Sequence, residues 1–444
     1  MMMFLKKNSI YDSLSSVHTY TSLSAQEIYE RHFDARFNEV EEQIQAFVHD
    51  KDESELETLL LTKIDNSRHL ALNGENALPL LGIPVAVKDL FHVDGFATYG
   101  GSKLPAEVLT GNEGWVVKRL QELGAWMMGK TVTEEFAYAS VIPTKNPHHL
   151  AHTSGGSSAG SAAAVASGMI PLAIGTQTLR SVMAPASFCG VVGFKVSYGR
   201  VPLDGCLLMS PSFDTFGMFT QDLESMKYAA ACLVPKWQTV EPSRKPVLGI
   251  PNGVFMELLE KGVYEIFMDK VEQLTQAGFT VKQVDMPWSN DLLLGYDMLN
   301  LARGELALGH RDWFASYEAS YGEAVHQAIV AGKDIDEQQL KQYRKDQLEL
   351  RQQLQASADA EGIDLWISPA QAGPAPLIGG PTGWAGMTSI WTYAGCPTLS
   401  LPLMEMNHLP LGFQCIAPYG RDEQLLAYSG LIEEILKTDI MVKL

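Results

Sequence analysis

The feature that most constrains the fold of this chain is a run of small residues, 158–167, that has the length of a helix. Alanine favours helix formation, but side chains this small cannot form the wide apolar stripe that holds a surface helix on its core. The run therefore predicts a helix packed closely on its neighbours. Just before it, Gly155 and Gly156 allow backbone conformations closed to other residues, so the segment 154–157 predicts a loop that can present amides or hydroxyls to a ligand.

Short apolar runs on either side of this helix predict buried strands. They lie at 83–87, 125–128 and 170–174, and a helical pattern at 114–123 separates the first two. Strands that alternate with helices predict an α/β fold whose sheet is covered on both faces. Two later runs, 364–369 and 398–402, predict strands that return to the same sheet.

The N-terminal part and the middle of the chain are predicted to be helical. In 22–73, Ser24 and Glu27 have the spacing of a capping box, and an amphipathic stripe follows at three- and four-residue steps. Residues 252–360 are mostly helical and charged. We therefore expect a helical segment at 1–75 that packs on the core, and a single domain at 76–444 with a mostly helical insertion at about 252–360.

Composition excludes some classes of partner. The chain has 444 residues, 46% of them hydrophobic, and a formal net charge of -19. Binding to nucleic acid or to an anionic membrane needs clustered Lys and Arg, so neither partner is expected. Five cysteines without a C-x-x-C pair indicate a reducing compartment, and no apolar run is long enough to span a membrane. The prediction is a cytoplasmic protein.

Candidate chemistry starts at Lys88, which directly follows an apolar strand. A lysine placed there is partly desolvated, which lowers its pKa and makes the neutral amine available as a base. The alternative is an exposed lysine paired with Asp89. A serine hydroxyl needs such a base to become a nucleophile, and Ser157 and Ser181 both follow small-residue loops.

Other site types fit the sequence less well. The glycine–serine run lacks the G-x-x-x-x-G-K-[ST] pattern of a phosphate-binding loop, and the chain lacks a G-x-S-x-G elbow. His148, His149 and His152 cluster before the run, but no acidic residue or cysteine lies beside them. No metal site is predicted.

Longer motifs add a family resemblance. They are GIPVAVKD (82–89), SGGSS (154–158), PASFCGVVGFK (185–195), GRVP (199–202), SFDTFG (212–217), AGCP (394–397), LP (401–402) and LPLGFQ (409–414). In this order the sequence resembles the amidase signature family over most of residues 80–425. The resemblance implies that family's fold, a central mixed, twisted β-sheet covered by helices on both faces.

The resemblance also implies a Ser-cisSer-Lys triad. Lys88 matches the lysine, Ser157 matches the bridging serine that follows a cis peptide bond, and Ser181 matches the nucleophile. Backbone N–H groups of the turn 178–181, which includes Thr178, would stabilise the oxyanion. The chemistry implied needs no cofactor and no metal, and a homodimer is an expected state.

The same resemblance places two aromatic residues near the substrate. Phe136 and Tyr138 lie in a stretch that lines the acyl pocket of relatives. Ordinary core packing is the alternative for both.

The chain departs from the family pattern just before the nucleophile. Leu179 and Arg180 stand where the family usually has two glycines, and the downstream Arg of the family is missing, since positions 183 and 184 are Met and Ala. Arg180 either pairs with a substrate carboxylate, or points away and replaces the missing Arg, or the oxyanion hole is impaired. Leu and Arg fit the turn only if their φ angles are negative.

Three functions remain open at this level. The first is an amidase that hydrolyses a small-molecule carboxamide, or a related C–N bond, through an acyl-Ser181 intermediate. The second is a catalytically silent partner or scaffold subunit with the same fold. The third is an acyltransferase or amidotransferase subunit, in which an acceptor other than water is used.

Overall fold

The computed structural model describes residues 23–33, 35–73, 78–380 and 385–442. The part of the predicted N-terminal segment at 1–22 lies outside the described residues. Ser24 forms the predicted capping box, because its Oγ accepts from the Glu27 N–H at 3.2 Å and its own N–H donates to the Glu27 carboxylate at 2.7 Å. The division into 1–75 and 76–444 stays a prediction.

A ten-stranded mixed sheet forms the centre of the protein. Its order is β2-β1-β5-β7-β6-β11-β12-β10-β8-β9, and β3 and β4 form a separate hairpin. The strands are β1 Pro84–Lys88, β2 Trp126–Thr131, β3 Lys145–Asn146, β4 His149–Thr153, β5 Leu172–Gln177, β6 Val192–Lys195, β7 Thr215–Thr220, β8 Val247–Pro251, β9 Thr280–Val284, β10 Leu365–Pro369, β11 Thr398–Met406 and β12 Leu409–Ile416.

Helices cover this sheet. They are Ala25–His32, Ala35–Ile44, Glu53–Asn73, Trp115–Glu122, Ala159–Ala166, Met183–Cys189, Leu223–Leu233, Val254–Glu257, Val263–Gln276, Asn290–Leu294, Asp297–Gly309, Phe314–Tyr317, Glu323–Lys333, Glu337–Glu361, Gly386–Tyr393 and Asp422–Val442. None of the helices within the described residues has the length and apolarity needed to cross a membrane. The predicted α/β fold with a central mixed sheet is confirmed.

Strands inside the sheet are buried on both faces, as β1 illustrates. Val85 and Val87 point to one face and belong to the large apolar cluster that also includes residues of the helices Trp115–Glu122 and Asp422–Val442. Ala86 points to the other face and packs with the small-residue helix Ala159–Ala166. Successive side chains of a strand alternate between faces, so a strand buried on both sides is apolar throughout, which is the pattern seen in the sequence.

The small-residue helix lies where larger side chains could not fit. A Cβ atom on Gly160 would clash with the backbone oxygen of Ala46 and the backbone of Val132. Close packing against two chain segments explains the composition of the helix and confirms the prediction made for 158–167.

The predicted insertion is helical except at one edge of the sheet. β9 pairs in parallel with β8 and contributes the outermost strand there, which the charged pattern of 252–360 did not predict. Further along, Ala302 and Leu306 pack with Leu90 and Phe136. The helix Asp297–Gly309 thereby packs on the segments that follow β1 and β2, while the division into a domain and an insertion stays a prediction.

Candidate active site

The carboxyl ends of three neighbouring strands create the candidate site. β1 runs parallel to both β2 and β5, so the residues at which these strands end meet at one edge of the sheet. Ligands of open α/β sheets bind at such edges. Lys88 ends β1, Thr131 ends β2 next to it, and Gln177 ends β5.

Lys88 is fully buried and faces the serine loop. Its Nζ lies 2.6 Å from Ser157 Oγ and 3.1 Å from Thr176 Oγ1. Burial lowers the pKa of Lys88 from 10.5 to about 8. The alternative of a pair with Asp89 does not occur, because Asp89 forms a buried ion pair with Lys130 at 2.9 Å.

Ser157 follows a cis peptide bond, Gly156–Ser157, as the resemblance predicted. Its side chain is buried, and its backbone oxygen accepts from the Glu134 N–H at 3.2 Å. The next residue, Ser158, donates its N–H to the backbone oxygen of Ser181 at 3.3 Å. The structure therefore brings the Ser157 loop against both Lys88 and the segment that carries Ser181.

Ser181 lies in the turn between β5 and the helix Met183–Cys189, and 6% of its surface is exposed. Gln177 holds this turn. Its Oε1 accepts from the N–H groups of Val182 and Met183 at 2.8 and 2.9 Å, and its Nε2 donates to Thr392 Oγ1 at 2.8 Å.

The turn needs no glycine at the two positions where the chain departs from the family pattern. Among the described residues, the non-glycine positions with positive φ are Gln45, Phe136, Ala137, Lys236, Asn407 and His408. Leu179 and Arg180 are not among them, and Leu179 packs against the apolar cluster around Trp391. Both side chains are therefore compatible with the backbone of this turn.

Thr178 is fixed by a buried carboxylate. Its hydroxyl donates to Asp214, which also accepts from the N–H groups of Met209 and Ser210 at 2.7 and 3.0 Å. Burial raises the pKa of Asp214 to about 6, against the opposing effect of these donors and of Lys88. Asp214 thus ties the turn 178–181 to the loop before β7.

Glu134 is a third charged group beside Lys88 and Arg180. An added Cβ on Gly156 would lie 2.5 and 2.6 Å from the two Glu134 carboxylate oxygens, so the carboxylate packs directly on the peptide that precedes Ser157. Burial raises the pKa of Glu134 to about 7, and the positive charges of Arg180 and Lys88 oppose that rise. Arg180 therefore sits in the field of a carboxylate.

The two predicted pocket aromatics lie under the insertion. Phe136 is 3% exposed, and its ring lies 4.4 Å from that of His310 and 5.8 Å from that of Tyr321. Tyr138 Oη accepts from Arg303 Nε at 3.0 Å. Both residues pack in one apolar cluster, and their contact with an acyl group stays a prediction.

The histidines before the serine loop have structural partners. His148 Nε2 lies 2.8 Å from the backbone oxygen of Cys189, and His152 Nδ1 lies 2.6 Å from that of Ala375. In the part of the chain that the structure describes, no three His, Cys, Asp or Glu side chains gather as a metal-binding group.

Sequence reasoning gave no role to four residues that the structure places in the site. Asp214 lies in the motif SFDTFG (212–217), and Thr176 and Gln177 directly precede the turn 178–181, so their positions in the sequence could have indicated them. Glu134 lies in none of the motifs. It reaches the site through contacts between strands and loops, which the order of strands in the sheet creates.

A mixed sheet, with a buried lysine hydrogen-bonded to a serine that follows a cis peptide bond, matches the fold and the residue pattern that the family resemblance implies. The chain belongs to the Amidase family, whose model matches residues 31–426.

Proteins named as amidotransferase subunits are among its relatives. The chain is 32% identical over 403 residues to a glutamyl-tRNA(Gln) amidotransferase subunit of Thermus thermophilus, covering 80% of this chain and 85% of that protein. The protein of the same name from a Geobacillus species is 30% identical over 481 residues, covering 96% and 98%.

Solved structures agree on the fold. One described as an amidase has a TM-score of 0.85 at 29% identity and covers 96% of this chain and 100% of its own. The native peptide amidase from Stenotrophomonas maltophilia has a TM-score of 0.82 at 22% identity, covers 97% of both chains, and supports the fold alone.

Proposed function

We propose that this protein cleaves a carboxamide, or a related C–N bond, through an acyl-Ser181 intermediate. The observation that carries the proposal is the buried hydrogen bond of 2.6 Å between Lys88 Nζ and Ser157 Oγ. A lysine whose pKa falls to about 8 supplies a neutral amine at mildly alkaline pH, which suits a general base.

In the proposed first step, Ser157 gives its hydroxyl proton to neutral Lys88 and takes the proton of Ser181. Ser181 Oγ then forms a bond to the amide carbonyl carbon, and the carbonyl oxygen becomes an oxyanion. Backbone N–H groups of the turn 178–181 would stabilise that charge, each worth roughly 3 kcal/mol in comparable sites. The negative φ angles of Leu179 and Arg180 support a working turn over a silent protein.

In the second step the C–N bond breaks, and the leaving nitrogen receives the proton from Lys88 by way of Ser157. This leaves an ester between the acyl group and Ser181. Water gives a proton to the same relay and bonds to the ester carbon, the bond between that carbon and Ser181 Oγ breaks, and the relay returns the proton to Ser181 Oγ as the carboxylic acid leaves. All three side chains return to their starting protonation states.

Turnover of a panel of primary amides and anilides tests this function, with release of ammonia or aniline as the readout. We expect turnover by the wild-type chain and none by Ser181→Ala. Added hydroxylamine should convert part of the acid product into a hydroxamate, because it competes with water for the acyl-enzyme. Equal turnover by Ser181→Ala would refute the assignment.

A second candidate is an amidotransferase subunit, which the named relatives favour. In this case the amide nitrogen passes to an acceptor, and glutamyl-tRNA(Gln) is the acceptor that the relatives' name gives. Turnover by the chain alone supports the stand-alone amidase. Turnover that appears only when the aminoacyl-tRNA and the other subunits of the assembly are added supports the second candidate, and overturns the prediction that nucleic acid is no partner.

A further inference from the structure

A cavity of about 670 Å³ opens beside the serine loop, and Glu134 forms part of its wall. We call it the Glu134 cavity. Its described lining includes Lys103, Glu134, Glu135, Thr144, Tyr321 and Glu323. Its volume falls in the range of small-molecule sites.

Glu134 connects this cavity to the candidate catalytic residues. Its carboxylate packs on Gly156, and its N–H donates to the backbone oxygen of Ser157. Thr153, which directly precedes the loop 154–157, also lines the cavity. A ligand in the cavity would therefore lie beside Glu134 and Thr153, the two wall residues that adjoin the loop that holds Ser157.

The charges on the wall favour one kind of ligand. Three carboxylates and one ammonium line the cavity, those of Glu134, Glu135, Glu323 and Lys103. Glu135 is buried, and both its oxygens accept from the N–H of Gly322 at 3.0 and 2.9 Å. Glu323 and Lys103 are exposed, whereas Glu134 is partly buried and its carboxylate packs on Gly156 of the serine loop.

Arg180 is a positively charged group that acts on that carboxylate. It interacts with the charge of Glu134, and it is not among the described residues that line the cavity. A substrate carboxylate in the cavity would lie beside Glu134, whereas Arg180 is not among the described wall residues, and like charges disfavour that arrangement. An ammonium or N–H group would instead gain a charge-assisted hydrogen bond.

We propose that the Glu134 cavity binds part of the substrate, and that Glu134 makes the enzyme prefer amides with a cationic or N–H-bearing group over amides with a carboxylate. This inference rests on the proposed function of Ser181. It replaces the interpretation of Arg180 as a carboxylate anchor by one in which the positive charge of Arg180 favours the ionised form of Glu134.

Three amides of similar length test the preference: 4-aminobutanamide, pentanamide and succinamate, which are cationic, neutral and anionic. The readout is the concentration of each that halves the rate at which a fluorophosphonate labels Ser181, followed by intact-protein mass spectrometry. In the wild-type protein we expect 4-aminobutanamide to protect at a concentration about tenfold lower than succinamate, a factor equal to one pairing of about 1.4 kcal/mol.

Glu134→Gln should reduce that ratio to about twofold, because the amide keeps the size of the side chain and removes its charge. Glu323→Gln is the matched control, since it makes the same change on the exposed rim, where screening weakens charge effects. Glu323→Gln should retain most of the wild-type ratio between the protecting concentrations of succinamate and 4-aminobutanamide. Lys103→Gln should increase the ratio.

The wild-type ratio should also rise between about pH 6 and 8 as Glu134, which faces Arg180 and Lys88, ionises around its pKa of about 7. Succinamate that protects as well as 4-aminobutanamide, an unchanged ratio in Glu134→Gln, or the absence of protection by all three amides would each overturn the proposal. If the fluorophosphonate fails to label the protein even when no amide is present, the result counts against Ser181 as the nucleophile. The failure of the proposed function is therefore distinguishable from the failure of the Glu134 cavity proposal.

Discussion

Replacing Lys88 by methionine should abolish catalysis and should also change stability in a pH-dependent way. The buried lysine has a pKa of about 8 in the folded protein, compared with an ordinary value of 10.5. This difference corresponds to about 3 kcal/mol, because one pKa unit is worth about 1.4 kcal/mol. Below about pH 8 the free energy of unfolding is lower by this whole amount, because Lys88 is protonated while buried in the folded protein.

The cost disappears as pH rises. Between about 8 and 10.5 the folded protein holds a neutral Lys88 while the unfolded chain still binds the proton, so the wild type gains stability with increasing pH. Methionine has no such dependence. The hydrogen bonds of Lys88 to Ser157 and Thr176, worth about 1 kcal/mol each, offset part of the gain in the variant. We therefore expect Lys88→Met to be about 1 kcal/mol more stable than the wild type at pH 7.

Urea unfolding followed by tryptophan fluorescence at pH 7, 8.5 and 10 measures this effect. The stability of Lys88→Met relative to the wild type should fall by about 2–3 kcal/mol over that range. The control is Lys130→Met, a second buried lysine in the neighbouring strand. It leaves Asp89 without its partner and should cost about 3–5 kcal/mol. A relative stability of Lys88→Met that is the same at pH 7 and pH 10 would refute the lowered pKa of Lys88.

Three further predictions concern the site. The rate of fluorophosphonate labelling of Ser181 should rise about tenfold from pH 7 to pH 9, because the neutral form of Lys88 increases through its pKa of about 8; a flat profile would contradict its role as base. Gly156→Ala should reduce the labelling rate about 100-fold or more, since its methyl group would clash with the Glu134 carboxylate. The control is Gly309→Ala, which has open space around it and should leave the labelling rate unchanged and the free energy of unfolding within about 0.5 kcal/mol of the wild type. Asp214→Asn should slow labelling about tenfold and cost about 1–2 kcal/mol in urea unfolding, because it weakens the acceptor that fixes the oxyanion turn; an unchanged rate would remove it from the site.

The sequence predicted best where an element is apolar on both faces or made of small residues. The strand ending at Lys88 and the helix Ala159–Ala166 have compositions that few other environments permit. β6, β7 and β12 were missed as strands, although their residues lay within family motifs. Their antiparallel positions in the middle of the sheet depend on partners far away in sequence, which local patterns do not reveal.

The candidate site was predicted in part for the same reason. The family motifs identify Lys88 and Ser157 as a pair, and the structure places them in contact. The charge beside Arg180 could not be predicted, because Glu134 reaches the site only when β1, β2 and β5 are aligned in parallel. Sheet order, rather than a motif, determines which carboxylate balances that arginine.

The relatives leave one functional question to experiment. By name they are subunits of an amidotransferase for glutamyl-tRNA(Gln), and the chain aligns with most of their length. A departure at Leu179 and Arg180 that keeps negative φ angles is compatible with either a stand-alone amidase or a subunit of an assembly. The acceptor that takes the nitrogen or the acyl group distinguishes the two.

The measurement that tests the proposed catalytic role of Ser181 most directly is intact-protein mass spectrometry after exposure to a fluorophosphonate, followed by peptide mapping. The proposed mechanism predicts one covalent adduct on Ser181 in the wild type, no adduct in Ser181→Ala, and labelling slowed about 100-fold or more in Ser157→Ala and Lys88→Met. A folded wild-type protein that acquires no adduct, or a Ser181→Ala variant that is labelled at the wild-type rate, would contradict it.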